Sequence, residues 1–162
     1  MSAMSNYLEN KLIDAVFRGV SFTPAATLYV GLFTADTTDA ATLSSEIGNT
    51  TANAYARVSI TSNTTNWAST GGATTTTNPS AGTSGTTSNN GVITFPTPSG
   101  GNWFNGAGPT ASSITNFGIL DASTITGGNL YFYGALTNAK TVNNGDAGPS
   151  FAISALSIQI DN

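Results

Sequence analysis

Short runs of β-branched and aromatic residues recur along the chain, and clusters of Gly, Pro, Asn or Asp separate them. This pattern is typical of an antiparallel β protein, because each run suits one strand and each cluster suits a turn. The predicted strands are residues 27–33, 55–61, 91–95, 113–120, 129–136 and 151–160. We therefore expect an all-β fold, either a β-sandwich or a jelly-roll-like arrangement, with one short N-terminal α-helix.

That helix is predicted for residues 5–19, where the apolar residues follow a helical rather than a strand period. These residues recur three or four positions apart and form one stripe: Leu8, Leu12, Ile13, Val16 and Phe17. Gly19 is placed to end the helix. The stripe marked by Leu8, Leu12 and Val16 can pack on the sheet of its own domain, or it can dock on a neighbouring subunit.

At 162 residues the chain is long enough for a single β-rich domain, residues 1–162, with a substantial hydrophobic core. Residues 62–90 interrupt this pattern with a low-complexity insertion of Thr, Ser, Gly and Asn. The insertion contains too little apolar surface to offset the entropy of ordering it alone. We interpret it either as a mobile loop or as an arm that becomes ordered against a partner.

Charged residues are scarce, at 7% of the chain, and only four of them are basic against eight acidic. A nucleic-acid partner is not expected, because binding of several phosphates requires a cluster of Lys and Arg. Nor is a membrane partner expected, because no apolar run approaches the roughly 20 residues that a membrane helix needs. A polar but nearly uncharged surface costs little to desolvate and therefore suits contact with other proteins.

The sequence contains no histidine and no cysteine. Their absence excludes Ser-His-Asp and Cys-His nucleophile pairs, imidazole and thiolate metal sites, and the commonest general base. The acidic residues near predicted loops show no spacing that singles out a catalytic pair: Asp36, Asp39, Glu46, Asp121 and Asp146. We expect no enzymatic activity, no cofactor and no metal ion, and we interpret these acids as turn-forming residues.

Three aromatic residues fall in predicted loops, with Trp67 in the insertion and Trp103 and Phe104 in the Gly- and Pro-rich residues 96–112. Exposed aromatic side chains on loops can anchor a partner. Aromatic side chains also commonly close the end of a β-sandwich, where they bury a large apolar area. For Trp103 and Phe104 the closing role is the expected one and anchoring is the alternative, and Trp67, Trp103 and Phe104 are kept as candidate interface residues beside Leu8, Leu12 and Val16.

Three of the most distinctive segments are SNYLENKLIDAVFRG at residues 5–19, LYVGLFTAD at residues 28–36 and GGNLYFYGAL at residues 127–136. Together with residues 55–58 and 114–121, they resemble a family of small virion proteins of tailed phages. Members of that family are described as tail-fibre-like or as head decoration proteins. The resemblance covers most of the chain outside the insertion and implies a structural protein of the phage particle.

The leading hypothesis is a capsid decoration or cement protein that binds the major capsid protein and stabilises contacts between capsomers. The resemblance and the prevalence of closed symmetry imply a homotrimer. The alternative is a tail or tail-fibre component, including an adhesin whose aromatic residues contact a host-surface glycan. A small polysaccharide depolymerase ranks last, because it would need two placed carboxylates. Each hypothesis places the mature protein in the virion, after assembly in the bacterial cytoplasm.

Overall fold

The fold is known from a computed structural model, which describes residues 2–48, 53–69, 80, 85–103 and 113–160. Within these residues the elements, in chain order, are β1 Ser2–Met4, α1 Asn6–Phe17, β2 Thr27–Phe33, a 3-10 turn Leu43–Ser45, β3 Val58–Thr61, β4 Thr86–Ser88, β5 Ile93–Thr94, β6 Ser113–Leu120, β7 Leu130–Thr141, β8 Ser150–Phe151 and β9 Ser157–Gln159. The expected all-β class with one short helix is confirmed.

Five strands form one antiparallel sheet in the order β1-β7-β6-β2-β3, and two further ribbons are β4-β9 and β5-β8. Val30 and Leu32 of β2 face the same side of the sheet, because side chains two residues apart share a face. They belong to one core cluster with Ile93, Phe95 and Ile158. The second layer of the domain therefore consists of the two ribbons rather than of a second full sheet.

The opposite face of the sheet contains a smaller cluster in which Phe33 packs with Leu120 and Leu130. Gly31 and Gly118 lie opposite each other on neighbouring strands of this face. A Cβ atom on Gly118 would lie 2.9 Å from side-chain atoms of both Phe33 and Leu130. The glycine pair therefore makes the space that the Phe33 ring occupies.

Predicted strands 27–33 and 113–120 are confirmed at those bounds. The strand predicted for 55–61 begins only at Val58. Beyond Val30, β2 no longer pairs with β3; instead, the Leu32 N–H donates a 2.9 Å hydrogen bond to the Tyr55 hydroxyl oxygen. The Tyr55 side chain and the backbone of residues 45–47, where the Ile47 N–H donates to the Leu32 carbonyl at 2.9 Å, thus replace β3 along this edge, which sequence periodicity does not reveal.

The single strand predicted for residues 151–160 is wrong, because a turn separates β8 from β9. The buried Asn89 side chain holds this turn. Its amide nitrogen donates to the Ala152 carbonyl at 2.8 Å, and its amide oxygen accepts from the Leu156 N–H at 2.9 Å. The two halves of the segment consequently pair with different strands.

Two strands were not predicted. Strand β1 has the sequence Ser-Ala-Met and β4 has the sequence Thr-Thr-Ser, neither of which carries an apolar alternation. Strand β4 lies within the predicted insertion, and an isolated bridge between Trp67 and Asn89 also joins the described ends of that insertion. Residues 70–79 and 81–84 of the insertion lie outside the described residues, so the arm remains a prediction.

The predicted helix 5–19 is observed as Asn6–Phe17. Ser5 caps its N-terminus, since the hydroxyl oxygen accepts a 3.4 Å hydrogen bond from the Leu8 N–H and the hydroxyl donates to the Leu130 carbonyl. Gly19 follows the helix with a φ of +67°, a conformation that favours glycine. In the part of the chain that the structure describes, no helix is long and apolar enough to cross a membrane.

Candidate assembly surface

The apolar stripe of α1 turns away from the sheet along the helix. Four residues of an α-helix turn through about 400°, so residues spaced by four shift by about 40° at each step. Leu8 is accordingly buried, Leu12 is half-buried, and Val16 has 68% of its surface exposed. The helix thus packs on its own domain through its first turns, whereas its last turns present apolar side chains to solvent.

The exposed apolar side chains at this end of the helix are Ile13, Val16, Phe17 and Val20, which we call the α1 patch. Their exposed fractions are 50%, 68%, 81% and 49% respectively. Val20 follows Gly19, and its N–H donates a 3.1 Å hydrogen bond back to the Asp14 carbonyl. This bond holds Val20 beside the helix end, so all four side chains share one region of the surface.

Charges lie at the margin of the α1 patch rather than within it. Arg18 and Asp14 form an ion pair of 3.1 Å one helical turn apart. Glu9 is exposed on the same side as the patch, and it lies about one turn before Ile13 and about two turns before Phe17. Clustered exposed apolar residues with a polar margin commonly mark a contact surface for another protein.

The other candidate interface residues do not join the α1 patch. Leu8 is buried, and Trp67 is half-buried and packs against the main core cluster. Phe104 lies outside the described residues. The sequence stripe already contained Ile13 and Phe17, but Val20 was missed because it follows the helix-ending glycine.

Trp103 has no exposed surface. Its ring lies 5.2 Å from the ring of Tyr55 and 6.5 Å from that of Phe95, centroid to centroid, in edge-to-face arrangements. The interpretation of Trp103 as an exposed glycan anchor is therefore wrong for this fold. Its large apolar ring is instead part of the core, which is the second of the two roles considered for it.

A cleft of about 660 Å³ opens between the second half of β7 and the segment that carries β8 and β9. Its wall includes Leu136 and Phe151 as apolar groups and Asn138 and Gln159 as polar ones. Among the described residues that line it, Lys140 is the one charged group. Neutral amide and apolar groups make up much of the surface of this chain, so the lining does not indicate a particular ligand.

The one ion pair with fully buried side chains in the described part of the chain joins Arg57 to Glu46. It is bidentate: Arg57 Nε lies 2.6 Å from Glu46 Oε1, and Nη2 lies 2.7 Å from Oε2. The remaining guanidinium nitrogen donates to the carbonyls of Ala122 and Gly127 at 2.6 and 3.0 Å. The Thr126 N–H also donates to Glu46. This network ties the loop between β6 and β7 to the segments that contain Glu46 and Arg57.

Tyr55 extends the same network. Its hydroxyl donates to Glu46 Oε1 at 3.4 Å and accepts from the Leu32 N–H. Burial, and secondarily the negative charge of Glu46, raises the pKa of Tyr55 well above its ordinary value near 10. The hydroxyl therefore stays protonated in the native protein under conditions in which a solvated tyrosine ionises.

This raised pKa predicts a loss of stability in alkali. Above about pH 10 the unfolded chain releases the Tyr55 proton while the native protein keeps it, so the free energy of unfolding falls as pH rises. The contribution approaches about 1.4 kcal/mol per pH unit for one proton. Urea unfolding at a series of alkaline pH values should give a steeper decline for the wild type than for Tyr55→Phe. Equal slopes of unfolding free energy against pH for the two proteins would contradict the raised pKa of Tyr55.

Three of the other loop acids bond to nearby backbone groups, as predicted for turn-forming residues. Asp36 accepts from the Thr38 N–H at 3.0 Å, Asp121 accepts from the Asn129 N–H at 2.7 Å, and Asp146 makes a similar contact. Glu46 differs because it belongs to the buried ion pair. No group of three acidic, histidine or cysteine residues suited to a metal ion occurs within the described ranges.

A comparison with known protein families identifies the relationship of this chain. A family model described as "Podophage GP4 fiber I protein gp80" matches residues 3–159, which is nearly the full length. The chain belongs to this gp80 family. The predicted resemblance to tailed-phage virion proteins is thereby confirmed. A search of curated proteins found no match.

Membership in the gp80 family makes this chain a fibre-like structural protein of a phage virion. It supports the fibre alternative better than the capsid decoration hypothesis. The matched region contains both the α1 patch and the buried Glu46–Arg57 network. These features therefore belong to the region that is common to the family model and this chain.

Proposed function

We propose that this protein is a non-catalytic component of the tail fibre, and that it functions by packing against other virion proteins. The observation that carries the proposal is the match of residues 3–159 to a family described as a fibre protein. Assembly takes place in the bacterial cytoplasm before the particle is complete. Capsid decoration ranks second, because the family description refers to a fibre.

The surface supports a role in assembly. The α1 patch exposes four large apolar side chains beside a nearly uncharged surface, which other proteins can cover at a low desolvation cost. Assembly through buried apolar area requires no catalytic group, in accord with a chain that lacks histidine and cysteine.

The location is tested by the copy number of this protein per purified virion. Quantitative mass spectrometry against the major capsid protein should give a small number of copies, and antibody labelling should place them on the tail. A fibre component is needed only at a few positions, whereas a cement protein covers the head. A copy number comparable with the capsid protein would instead support decoration of the head.

A further inference from the structure

We propose that Asn90, which Gly91 follows, is a site of spontaneous deamidation in the folded protein, and that the change loosens the turn held by Asn89. The inference goes beyond the proposed fibre function and does not depend on it. Asparagine followed by glycine is especially prone to this reaction, because glycine has no Cβ to obstruct the attack of its own amide nitrogen. The sequence contains three such pairs: Asn90–Gly91, Asn105–Gly106 and Asn144–Gly145.

The reaction requires only water. The Gly91 nitrogen forms a bond to Cγ of Asn90, the bond from Cγ to Nδ2 breaks, and the nitrogen that leaves takes up the Gly91 amide proton and departs as ammonia. Water then opens the resulting five-membered imide at one of its two carbonyls. Opening at Cγ gives aspartate, whereas opening at the backbone carbonyl gives isoaspartate, in which the chain runs through the former side chain. Both products carry a new carboxylate, and nothing is oxidised or reduced.

The structure leaves the Gly91 nitrogen available for this attack. Its N–H has no hydrogen-bond partner in the part of the chain that the structure describes. Gly91 is exposed, and a Cβ atom placed on it would meet no other atom within 4 Å. The Asn90 side chain makes one exposed hydrogen bond, which Nδ2 donates to the Thr65 carbonyl at 3.2 Å. The reacting atoms can therefore approach each other once this exposed bond breaks.

The pair Asn144–Gly145 provides an internal comparison, because both pairs follow another asparagine and read Asn-Asn-Gly. The Gly145 N–H, however, donates a 2.9 Å hydrogen bond to the carbonyl of Pro98, which is a buried residue. This nitrogen cannot attack until that bond breaks and the carbonyl loses its donor. Asn144 is the more exposed of the two asparagines, so solvent access alone would predict the opposite order of rates.

The modified residue would lie beside the side chain that organises this region. The Asn89 amide nitrogen donates to the Gly91 carbonyl at 2.7 Å and to the Ala152 carbonyl at 2.8 Å. Isoaspartate adds one carbon to the backbone just before Gly91 and therefore displaces its carbonyl from Asn89. Because Asn89 also holds the turn between β8 and β9, we expect the modified protein to be less stable than the unmodified one.

The first test incubates the purified protein at mildly alkaline pH in water enriched in heavy oxygen, so that only asparagines reacting during the incubation acquire the label. Cleavage after aromatic residues places Asn90, Asn105 and Asn144 in separate peptides for mass spectrometry. We expect labelling at Asn90 to be at least about fivefold faster than at Asn144, which corresponds to about 1 kcal/mol, the usual net contribution of one hydrogen bond. Equal rates, or faster labelling of Asn144, would overturn the inference.

The same incubation in concentrated urea is the control for local sequence. The two Asn-Asn-Gly sites should then react at similar rates, because the unfolded chain lacks the hydrogen bond to Pro98. An advantage of Asn90 that persisted unchanged in urea would come from its sequence neighbours, and the structural explanation would be rejected. Asn105 lies outside the described residues, so the comparison uses Asn90 and Asn144 alone.

Gly91→Ala is the matched variant, since the position has room for a Cβ and its φ lies outside the left-handed region. The added methyl group should strongly slow labelling at Asn90 while the protein remains folded. After a long incubation, the wild type should unfold at a lower urea concentration than fresh protein, whereas Gly91→Ala should not change. A wild type that is fully labelled at Asn90 yet as stable as fresh protein would refute the effect on the Asn89 turn.

Discussion

Replacement of Trp103 by alanine is expected to destabilise the protein by about 3–5 kcal/mol, because the change removes a fully buried aromatic side chain and leaves a cavity. A domain is usually stable by only about 5–15 kcal/mol, so much of the native stability would be lost. Urea unfolding of the wild type and of Trp103→Ala, followed by circular dichroism, measures the difference.

Trp67→Ala is the natural control, since it makes the same truncation at a half-buried position. We expect a smaller loss of stability there, because less surface leaves water on folding. If Trp103→Ala unfolded at the same urea concentration as the wild type, the buried position of Trp103 would be wrong. If Trp103→Ala unfolds the protein, this variant cannot test glycan binding. A misfolded protein would lose binding whether or not Trp103 contacts the glycan.

Arg57→Met is expected to cost a comparable amount, about 3–5 kcal/mol, because it leaves the buried Glu46 carboxylate without its cation. The same change also removes the hydrogen bonds that Arg57 donates to the carbonyls of Ala122 and Gly127. The free energy of unfolding in urea at neutral pH is the quantity to compare.

Arg18→Met provides the matched control, because Arg18 forms an ion pair with Asp14 in which its side chain is 69% exposed. Exposed pairs usually contribute about 1 kcal/mol or less. The double variant Arg57→Met with Glu46→Leu should recover part of the loss, since no unpaired charge then remains. Equal losses of stability in Arg57→Met and Arg18→Met would show that the buried ion pair contributes no more to stability than the exposed one.

Glu46 and Arg57 also show which contacts the sequence cannot predict. In the sequence Glu46 is one acid among several near predicted loops, and nothing in its neighbours predicts a partner. Arg57 lies eleven residues away, and the two meet only because Glu46 and Tyr55 occupy the edge of β2 beyond Val30. Residues that meet through tertiary contacts leave no local period in the sequence.

The aromatic residues illustrate a related limit. Loop composition placed Trp103 in an irregular segment correctly, but composition does not say whether such a segment folds over the core or away from it. The rings of Tyr55 and Phe95 decide that question, since they form the pocket that Trp103 fills. Both rings come from other segments of the chain.

The sequence alone determined the all-β class, the single helix, and strands 27–33 and 113–120, because side-chain periodicity and turn residues act locally. The gradual turn of the apolar stripe around the helix also follows from the sequence, because Leu8, Leu12 and Val16 are spaced by four residues. Only the tertiary structure decided which part of that stripe is covered. Burial depends on where the sheet ends relative to the helix, and that relation arises from contacts between distant segments rather than from neighbouring residues.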